Sequence, residues 1–347
     1  MPKRRPTIAD VAREAGVAKS AVSYALNDKP GVSPETRARI LKIAAQIGWQ
    51  PSSAARALMN SRVWRMGLVL NRPAALLGLE PYYMELTSGL QEELAPRKIS
   101  LVLQLVSSVD DEMAVYRDWA AKREVDAVIV TDVSGQDPRL ALLAELELPG
   151  VVMAVPSDES PAPQEVSMLP WVWADDTDGM RIALRYLHTL GHRNIARVAG
   201  VAGYSHTIAR TQAMKEEAKA LGIPVPKVVH TDYSQEAGAR ATRSLLIGAD
   251  RPTAIVFDND VMTAAALQIA AELSISVPGE LSVISWDDSM ISRLTTPRLT
   301  SVKTDVRAYG MHVARVLNAL ADGEPQESAA FGAVGLEVRD STAAPRS

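Results

Sequence analysis

The chain has 347 residues, no cysteine, 47% hydrophobic residues and a formal net charge of −4 at pH 7. This length exceeds what one hydrophobic core usually serves and predicts two or three domains. The missing cysteines exclude disulfides and cysteine-ligated metal sites and fit a cytoplasmic protein, while the lack of a run of about 18 apolar residues excludes a transmembrane helix.

The start of the chain is basic. Residues 1–60 contain ten Lys or Arg and four Asp or Glu, a net charge of +6, so residues 61–347 carry −10. The segment MPKRRPTIADVA is not followed by an apolar stretch, so we expect no secretory signal and no membrane partner. A basic segment on an acidic chain indicates a module that binds a polyanion, although a solvated basic surface would have the same composition.

The residues after this basic start predict three helices. Thr7 and Asp10 form a capping-box-like pair at the start of the first helix, and Gly16 suits the left-handed turn that ends it. Ser33 followed by Pro34 is typical of the start of a third helix. The second helix, about residues 19–27, has a polar face without acids, formed by Lys19, Ser20, Ser23, Tyr24 and Asn27. Such a helix-turn-helix can lie in a major groove, whereas a three-helix bundle without a ligand is the alternative.

Residues 7–58, TIADVAREAGVAKSAVSYALNDKPGVSPETRARILKIAAQIGWQPSSAARAL, resemble the DNA-binding head of the LacI/GalR family of bacterial transcription regulators. The resemblance implies a ligand-responsive regulator, acting as a repressor, that binds a pseudo-palindromic double-stranded DNA operator as a homodimer. It places base reading at Lys19, Ser20 and Tyr24. It also implies positioning contacts to phosphates, which it assigns to Thr7, Ser23, Asn27 and Ser33.

The segment PSSAARAL resembles the hinge helix of the family, with Arg56 and Leu58 in the minor groove. An inserted leucine unstacks a base step and kinks the duplex. The head also departs from the family pattern, because Ala18 replaces a frequent serine cap, Ala21 a usual threonine and Tyr24 a frequent arginine. The operator sequence of better-known relatives therefore does not transfer to this chain.

After the hinge, strand and helix patterns alternate for more than two hundred residues, which predicts an α/β fold with parallel sheets. The strand patterns are RMGLVL, ISLVLQLV, VDAVIVTD, LPGVVMAV, NIARVAGVAG, TAIVFDND and LSVISWDD. Helical patterns cover Tyr82–Leu94, Met180–Leu190, Ile208–Leu221 and Val261–Leu273. The resemblance implies a core like that of a periplasmic sugar-binding protein, in which two parallel-sheet subdomains enclose a cleft.

We therefore divide the chain into an all-α helix-turn-helix domain, a hinge helix with linker, an effector-binding domain and a short tail. The corresponding residues are 1–50, 51–63, 64–342 and 343–347. Within the effector-binding domain we expect the first subdomain at 64–169 plus 293–323 and the second at 170–292 plus 324–342. This division assigns LTSVKT and the helix 305–320 to the first subdomain. We expect the tail to be frayed and too short for a tetramerisation helix, which favours a dimer.

Ligand contacts are expected at the carboxyl ends of the strands. The resemblance places effector contacts at Arg210 and Asp260 and aromatic cleft residues at Tyr82 and Tyr83; the weaker candidates are His206, Tyr233 and Trp286. A guanidinium can bind a carboxylate or vicinal hydroxyls with two hydrogen bonds. Salt bridging by Arg210 and Asp260, and ordinary packing of Trp286, are the alternatives.

The cleft also departs from the family pattern, which argues against assuming any particular sugar. Glu80 replaces a usual asparagine, Ala154 and Val155 replace a frequent Asp-Arg pair, and Asp176 replaces a common asparagine. The loss of one polar pair and the gain of acids leave a cationic or amine-bearing effector open.

Three other functions are alternatives to this interpretation. An enzyme is disfavoured because dinucleotide, P-loop, zinc-protease and nucleophile-elbow motifs are missing, and we expect no cofactor and no metal. The five histidines, His188, His192, His206, His230 and His312, lack metal-ligand spacing, and we interpret His192 as a loop cap. A transport binding protein is disfavoured by the DNA-binding head. A regulator controlled by a protein partner stays open because the cleft is altered.

Overall fold

A computed structural model describes residues 6–26, 29–49, 62–74, 78, 80–157, 161–162 and 167–346. Asn27, Arg56 and Leu58, and with them the expected hinge helix, lie outside the described residues. The chain divides into two compact units, residues 1–63 and 64–347.

The first unit contains the three helices expected from the sequence: α1 (Ile8–Ala15), α2 (Lys19–Leu26) and α3 (Pro34–Gln46). The backbone N–H of Thr7 donates to Asp10 Oδ2 at 2.8 Å, and Gly16 ends α1 with a φ of 63°. These helices enclose a small core of Val11, Ala12, Ala15, Val22, Ala25, Ile40 and Ala44. The three helices predicted from capping residues and apolar spacing are therefore confirmed.

The second unit contains two six-stranded sheets in the part of the chain that the structure describes. The first sheet consists of β1 (Arg65–Asn71), β2 (Ser100–Val106), β3 (Ala127–Val130), β4 (Gly150–Met153), β5 (Trp171–Ala174) and β11 (Ala329–Phe331), in the order β11-β5-β4-β3-β1-β2. The second sheet consists of β6 (Ile195–Ala199), β7 (Lys227–His230), β8 (Ala254–Phe257), β9 (Ser282–Trp286), β10 (Thr300–Lys303) and β12 (Gly335–Glu337), in the order β12-β10-β9-β8-β6-β7. The pairs are parallel, except that β10 and β12 are antiparallel.

Helices cover both faces of each sheet, which is why most central strands are apolar throughout rather than alternating. The helices are α4 (Pro81–Leu94), α5 (Val109–Lys122), α6 (Pro138–Glu145), α7 (Asp176–Leu190), α8 (Ser205–Leu221), α9 (Gln235–Leu246), α10 (Asp260–Glu272), α11 (Met290–Leu294) and α12 (Val306–Ala321). On the first sheet α4 and α12 share one core, and α5 and α6 belong to the other. No helix in the described part of the chain is long and apolar enough to cross a membrane.

The three subdomain crossings differ from the expected positions. Strand β5 pairs with β4 in the first sheet, so the chain crosses after Ala174 rather than near residue 169. Strand β10, from LTSVKT, pairs with β9 in the second sheet, and the return crossing follows Lys303 rather than residue 292. Strand β11 pairs with β5, so the last crossing follows Phe331 rather than residue 323. The expected bounds were wrong because strands of three or four residues carry too little local pattern to show which sheet they join, and the partner of β11, strand β5, lies far away in sequence.

The expected fraying of the tail is wrong for its first residue. The Ala343 N–H donates to Ser282 Oγ at 3.0 Å, and the Ala343 carbonyl oxygen lies 2.9 Å from His192 Nε2. His192 Nδ1 lies 2.9 Å from Thr253 Oγ1, so this buried ring joins the tail to two loops of the second subdomain.

Candidate functional sites: the second helix and the cleft

The polar face of α2 is exposed, as the sequence predicts. Lys19, Ser20 and Tyr24 are exposed, Ser23 is half-buried, and the opposite face is buried in the core of the first unit. Tyr24 is 44% exposed. The face offers an ammonium group and hydroxyls, which can donate hydrogen bonds to base edges in a major groove, and an aromatic ring. The base-reading and phosphate-contacting roles assigned to these residues stay predictions.

Thr7 and Ser33 both stand at helix starts. The Thr7 hydroxyl donates to Asp10 Oδ2 at 2.7 Å, and Ser33 Oγ accepts from the Thr36 N–H at 3.2 Å. Backbone N–H groups and the helix dipole make such positions favourable for phosphate. Both side chains therefore stabilise their helices in addition to the phosphate contact predicted for them.

A cleft lies at the carboxyl ends of the strands of both sheets. Its cavity volume is about 120 Å³, which suits a small ligand, since one water needs roughly 10–15 Å³. All seven effector residues predicted from the sequence line this cleft: Tyr82, Tyr83, His206, Arg210, Tyr233, Asp260 and Trp286. Their contact with an effector stays a prediction.

The cleft also contains residues that the sequence reasoning missed, among them Arg72, Asp132 and Asp287. Arg72 and Asp287 directly follow β1 and β9, and Asp132 follows β3 after one intervening residue. The rule that ligand groups collect at strand ends could have found all three.

Arg72 crosses the cleft. Its guanidinium lies 3.1 Å from Asp132 Oδ2 on its own side and donates to the Tyr204 hydroxyl at 3.0 Å on the other. It also lies over the rings of Tyr83, Tyr204 and Tyr233, between 5.3 and 5.7 Å from their centroids. Cation–π attraction and these hydrogen bonds stabilise the contact between the two sides of the cleft.

Asp132 accepts hydrogen bonds at the floor of this contact. Its Oδ2 accepts from the Tyr83 hydroxyl at 2.8 Å. Burial raises the pKa of Asp132, but Arg72, His206 and the Tyr83 hydrogen bond lower it more, and the net shift is downward. Asp132 is therefore the ionised partner of Arg72 at neutral pH.

Arg210, the predicted effector-binding arginine, already has partners. Its Nε and Nη2 donate to Asp176 Oδ1 at 2.8 and 2.6 Å, and its guanidinium lies 3.9 Å from the centroid of Trp286. The acid at 176, noted as a departure from the family pattern, thus pairs with Arg210. Because Arg210 covers one face of Trp286, a planar ligand cannot stack on that face while this contact persists.

A second arginine fixes the base of the cleft. Arg197, 0% exposed, donates to both oxygens of Asp258 at 2.8 and 2.6 Å. Burial raises the pKa of Asp258, but Arg197 and then Arg210 lower it more, to about 2. Asp258 lies 3.7 Å from Arg210 Nη1 and so positions that side chain from below.

His206 and Tyr233 form one unit at the side of the cleft. His206 Nε2 lies 2.6 Å from the Tyr233 hydroxyl. Burial and then Arg210 lower the pKa of His206, so the ring is neutral at pH 7. A Cβ at Gly200 would lie 1.9 Å from Tyr233 Cζ, so a glycine is needed there for the tyrosine to reach the histidine.

Three carboxyl groups on the cleft have raised pKa values. Burial is the main cause, and it raises the pKa of Glu80 to about 7 and that of Asp260 to about 6. Burial also raises the pKa of Asp287 well above its usual range. Asp260 accepts a hydrogen bond from Ser289, whereas Glu80 Oε2 has no hydrogen-bond partner among the described residues.

Each of the two units matches a known protein family. Residues 7–52 match the model described as bacterial regulatory proteins, lacI family, and residues 184–342 match the periplasmic binding protein-like domain. The chain is 30% identical to the HTH-type transcriptional regulator CelR of Thermobifida fusca, over 94% of each chain. The chain belongs to the LacI family. It is therefore a DNA-binding transcriptional regulator rather than an enzyme, and the resemblance found in the sequence is confirmed.

Solved structures of LacI-family proteins share the fold. A structure of a CelR–cellobiose complex has a TM-score of 0.73 and 29% identity, and it covers 97% of this chain and all of that chain. The lac repressor dimer bound to operator and the anti-inducer ONPF has a TM-score of 0.84 and covers 98% of this chain and all of that one. At 24% identity, the second likeness concerns the fold alone.

Proposed function

We propose that this LacI-family protein is a cytoplasmic repressor that binds a pseudo-palindromic operator as a homodimer and responds to a small molecule in the cleft. The observation that carries this proposal is the convergence of all seven predicted effector residues on one cavity between the two sheets. A sugar or related metabolite is the proposed effector class. The CelR relative, whose structure is a complex with cellobiose, supports that class.

DNA reading is assigned to α2. Lys19 can donate to guanine O6 and N7, and Ser20 can pair with several bases, while hydroxyls at helix starts set the register on the phosphates. Leu58 and Arg56 are proposed to enter the minor groove at the centre of the operator. A short, alanine-rich hinge helix is marginal by itself, so we expect it to form against DNA and the partner hinge.

The effector acts through its differential affinity for two states of the cleft. Arg72 contacts both sides, so a ligand that strengthens or replaces its contacts changes how tightly the two sides hold together. The strand β1, which ends at Arg72's neighbour Asn71, begins directly after the linker to the head. Movement of β1 relative to its counterpart in a dimer would change the spacing of the two heads.

The test begins with selection of binding sites from a randomised duplex library by the full-length chain. We expect selected sites to be pseudo-palindromes bound by a dimer, and a panel of sugars and nucleosides to include one that changes operator affinity. Arg210→Ala should abolish this response and leave the affinity of the unliganded protein for its operator within a few fold. Arg298→Ala, in an exposed ion pair with Asp340, is the matched control.

Two results would overturn the proposal. One is a set of selected sites without dyad symmetry, bound by a monomer. The other is an Arg210→Ala protein that keeps its melting temperature and the full response to the compound.

A further inference from the structure

We propose that the cleft selects a ligand that carries an ammonium group. The inference deepens the proposed function and rests on it, because it names the chemical class of the effector. It follows from the charges that line the cleft and from how they pair with one another.

Acids outnumber bases on the cleft lining. Among the described residues, the lining has six carboxyl groups and two guanidinium groups. The acids are Glu80, Asp132, Asp176, Asp258, Asp260 and Asp287, and the bases are Arg72 and Arg210. Such an excess has to be neutralised by bound protons or by a cation, because unpaired buried charge is costly.

Three of the acids are neutralised by the protein itself. Asp132 pairs with Arg72 at 3.1 Å, and Asp176 pairs with Arg210 at 2.6 Å. Asp258 pairs with Arg197, which lies behind the lining, at 2.6 Å. Both arginines of the lining therefore make their shortest ion pairs with these acids.

Glu80, Asp260 and Asp287 make no hydrogen-bonded ion pair among the described residues. Glu80 is 7% exposed, and its Oε2 has no hydrogen-bond partner in the part of the chain that the structure describes. Its ion pair with Arg72 is long, with Nε at 3.7 Å from Oε2, and neither atom has a hydrogen-bond partner among these residues. A buried carboxylate oxygen on a cavity, whose cation is too distant to donate a hydrogen bond, can accept one from a ligand.

These three acids come from opposite sides of the cleft. Glu80 precedes α4 on the first side, while Asp260 begins α10 and Asp287 follows β9 on the second. Burial is the main cause of the raised pKa values of Glu80 and Asp287, and the neighbouring carboxyl group of Asp260 raises both further. A cation bound among them would hold the two sides together, as the proposed response to an effector requires.

An ammonium group suits this position better than a metal ion or a second guanidinium. It has three N–H donors and no acceptor, so it can donate to several carboxyl oxygens at once. The described residues contain no group of three or more side chains with the spacing to hold a metal ion. The stacked aromatic position over Trp286, which a planar guanidinium would favour, is already filled by Arg210.

The experiment compares matched pairs of compounds on the full-length chain at pH 7.5. Each ammonium compound is tested beside neutral partners: glucosamine with glucose and N-acetylglucosamine, putrescine with butanediol, and ethanolamine with ethylene glycol. Binding is followed by thermal shift at millimolar concentration and by calorimetric titration. We expect an ammonium member to bind at least about tenfold tighter than its neutral partners, since a hydrogen bond to a charged group contributes roughly a tenfold to hundredfold effect.

Two conservative variants locate the preference. Glu80→Gln and Asp287→Asn should each reduce the preference for the ammonium compound at least about fivefold and change the affinity for neutral partners less than about twofold. Glu145→Gln, an exposed acid outside the cleft, is the matched control and should change neither. Equal binding of ammonium and neutral members across the panel, or a preference that persists in both variants, overturns the inference.

Operator binding, measured with the same compounds, separates this inference from the proposed function. A neutral compound that binds the cleft and changes operator affinity would overturn the ammonium preference and support the proposed function. An ammonium compound that binds the cleft through Glu80 and Asp287, but leaves operator affinity unchanged, would support the preference and refute the response.

Discussion

Tyr24 is exposed and yet held in place. Its ring lies beside Gly31, where φ is 112° and an added Cβ would approach the ring to 3.3 Å. The loop after α2 thus packs against the residue proposed to read DNA, which restricts its rotamers before it meets a base. A restrained side chain loses less conformational entropy on binding than a free one.

The first prediction concerns base reading by α2. Lys19→Ala and Tyr24→Ala should relax the preference at particular base positions, at roughly 1–3 kcal/mol for a good contact. Tyr24→Phe should relax it only if the hydroxyl is the reading group. Selection from a randomised operator library, followed by affinity measurements on single-base variants, provides the test.

Ser33→Ala is the comparison for this experiment. It should weaken all sequences alike, and its melting temperature must be measured too, because the change also removes the cap of α3, at a cost of about 1 kcal/mol. If Lys19→Ala and Tyr24→Ala lower affinity uniformly and leave the preferred sequence intact, α2 is not the reading helix.

The second prediction concerns pH and Glu80. Its pKa in the folded protein is about 7, above the ordinary 4.5, so its protonation stabilises the folded state. This contribution to stability is complete below about pH 4.5 and is lost as pH rises through about 7. Between pH 5 and 8 the wild type should lose more unfolding free energy than Glu80→Gln, by on the order of 1–3 kcal/mol.

Urea unfolding at several pH values measures the difference, with Glu145→Gln expected to follow the wild type. Parallel curves for the wild type and Glu80→Gln would show that Glu80 does not titrate in this range. Asp260 is expected to give a similar but lower window, because its pKa rises from 3.8 to about 6.

Among the elements, α4 and α12 approach each other unusually closely. A Cβ at Gly89 would lie 2.0 Å from the Arg307 carbonyl oxygen, and one at Gly310 would lie 2.4 Å from that of Leu86. The two glycines allow backbone contact between the helices, which buries Leu86 and Leu90 against the first sheet. The cleft residues Tyr82 and Tyr83 lie in the first turn of α4 and depend on this packing for their position.

The third prediction follows from this contact. Gly310→Ala should destabilise the protein by about 1–3 kcal/mol or more, because the methyl group would have to displace backbone. Gly335→Ala is the matched control, since an added Cβ there meets nothing within 4 Å among the described residues. Calorimetry measures the melting temperatures of both variants. Equal values would contradict the close approach of the two helices.

The fourth prediction concerns the support of the cleft floor. Arg139, buried beside α5, donates to both oxygens of Glu112 at 2.9 and 2.8 Å and to the Asp132 carbonyl oxygen at 3.1 Å. It thereby holds Asp132 at a φ of 54°, with its carboxylate toward Arg72. Arg139→Met should cost about 3–5 kcal/mol, because it leaves Glu112 buried without its cation.

Arg315→Met is the control for this variant. Arg315 makes an exposed ion pair with Glu93 at 3.0 Å, and such pairs contribute about 0–1 kcal/mol. Equal stability of the two variants in urea would show that the buried network contributes no more than a surface pair.

These elements also show what the sequence could predict. Long apolar runs such as β1 and capped helices such as α10 are local signals, and they were predicted at nearly the observed bounds. Strands β10 and β11 have four and three residues, and the sheet that each joins is decided by pairing with another strand, which for β11 lies far away in sequence. Local sequence patterns therefore do not indicate which of the two sheets such a strand joins.

The site divides in the same way. Arg210 and Asp260 were found through motifs, whereas the role of Arg72 depends on Asp132 and Tyr204, which come from separate strands and loops. The sequence likewise does not show that Arg210 pairs with Asp176, although it indicates both residues as features of the cleft. Which acids lack a hydrogen-bonded cation can be read only from the folded arrangement.

For the whole molecule, charge is divided between a head of +6 and a remainder of −10. The fifth prediction is that operator binding falls steeply with salt, with a log–log slope steeper than about −4, since each neutralised phosphate contributes roughly −0.9. Fluorescence anisotropy at several salt concentrations measures the slope. A slope near zero would mean that phosphate contacts contribute little, contrary to the docking proposed for the basic head.

The three chain crossings lie side by side. Ala174 pairs with Phe331 just before the first and third crossings, and Lys303 pairs with Gly335 where the second and third adjoin. A single tether would let two bodies twist, slide and bend independently. Three short connections in a row form a hinge, which leaves the two subdomains mainly one rotation, about an axis that runs across the connections. A ligand in the cleft would therefore change mainly one quantity, the angle between the two subdomains. A change confined to one rotation can be passed on without being spread over other motions.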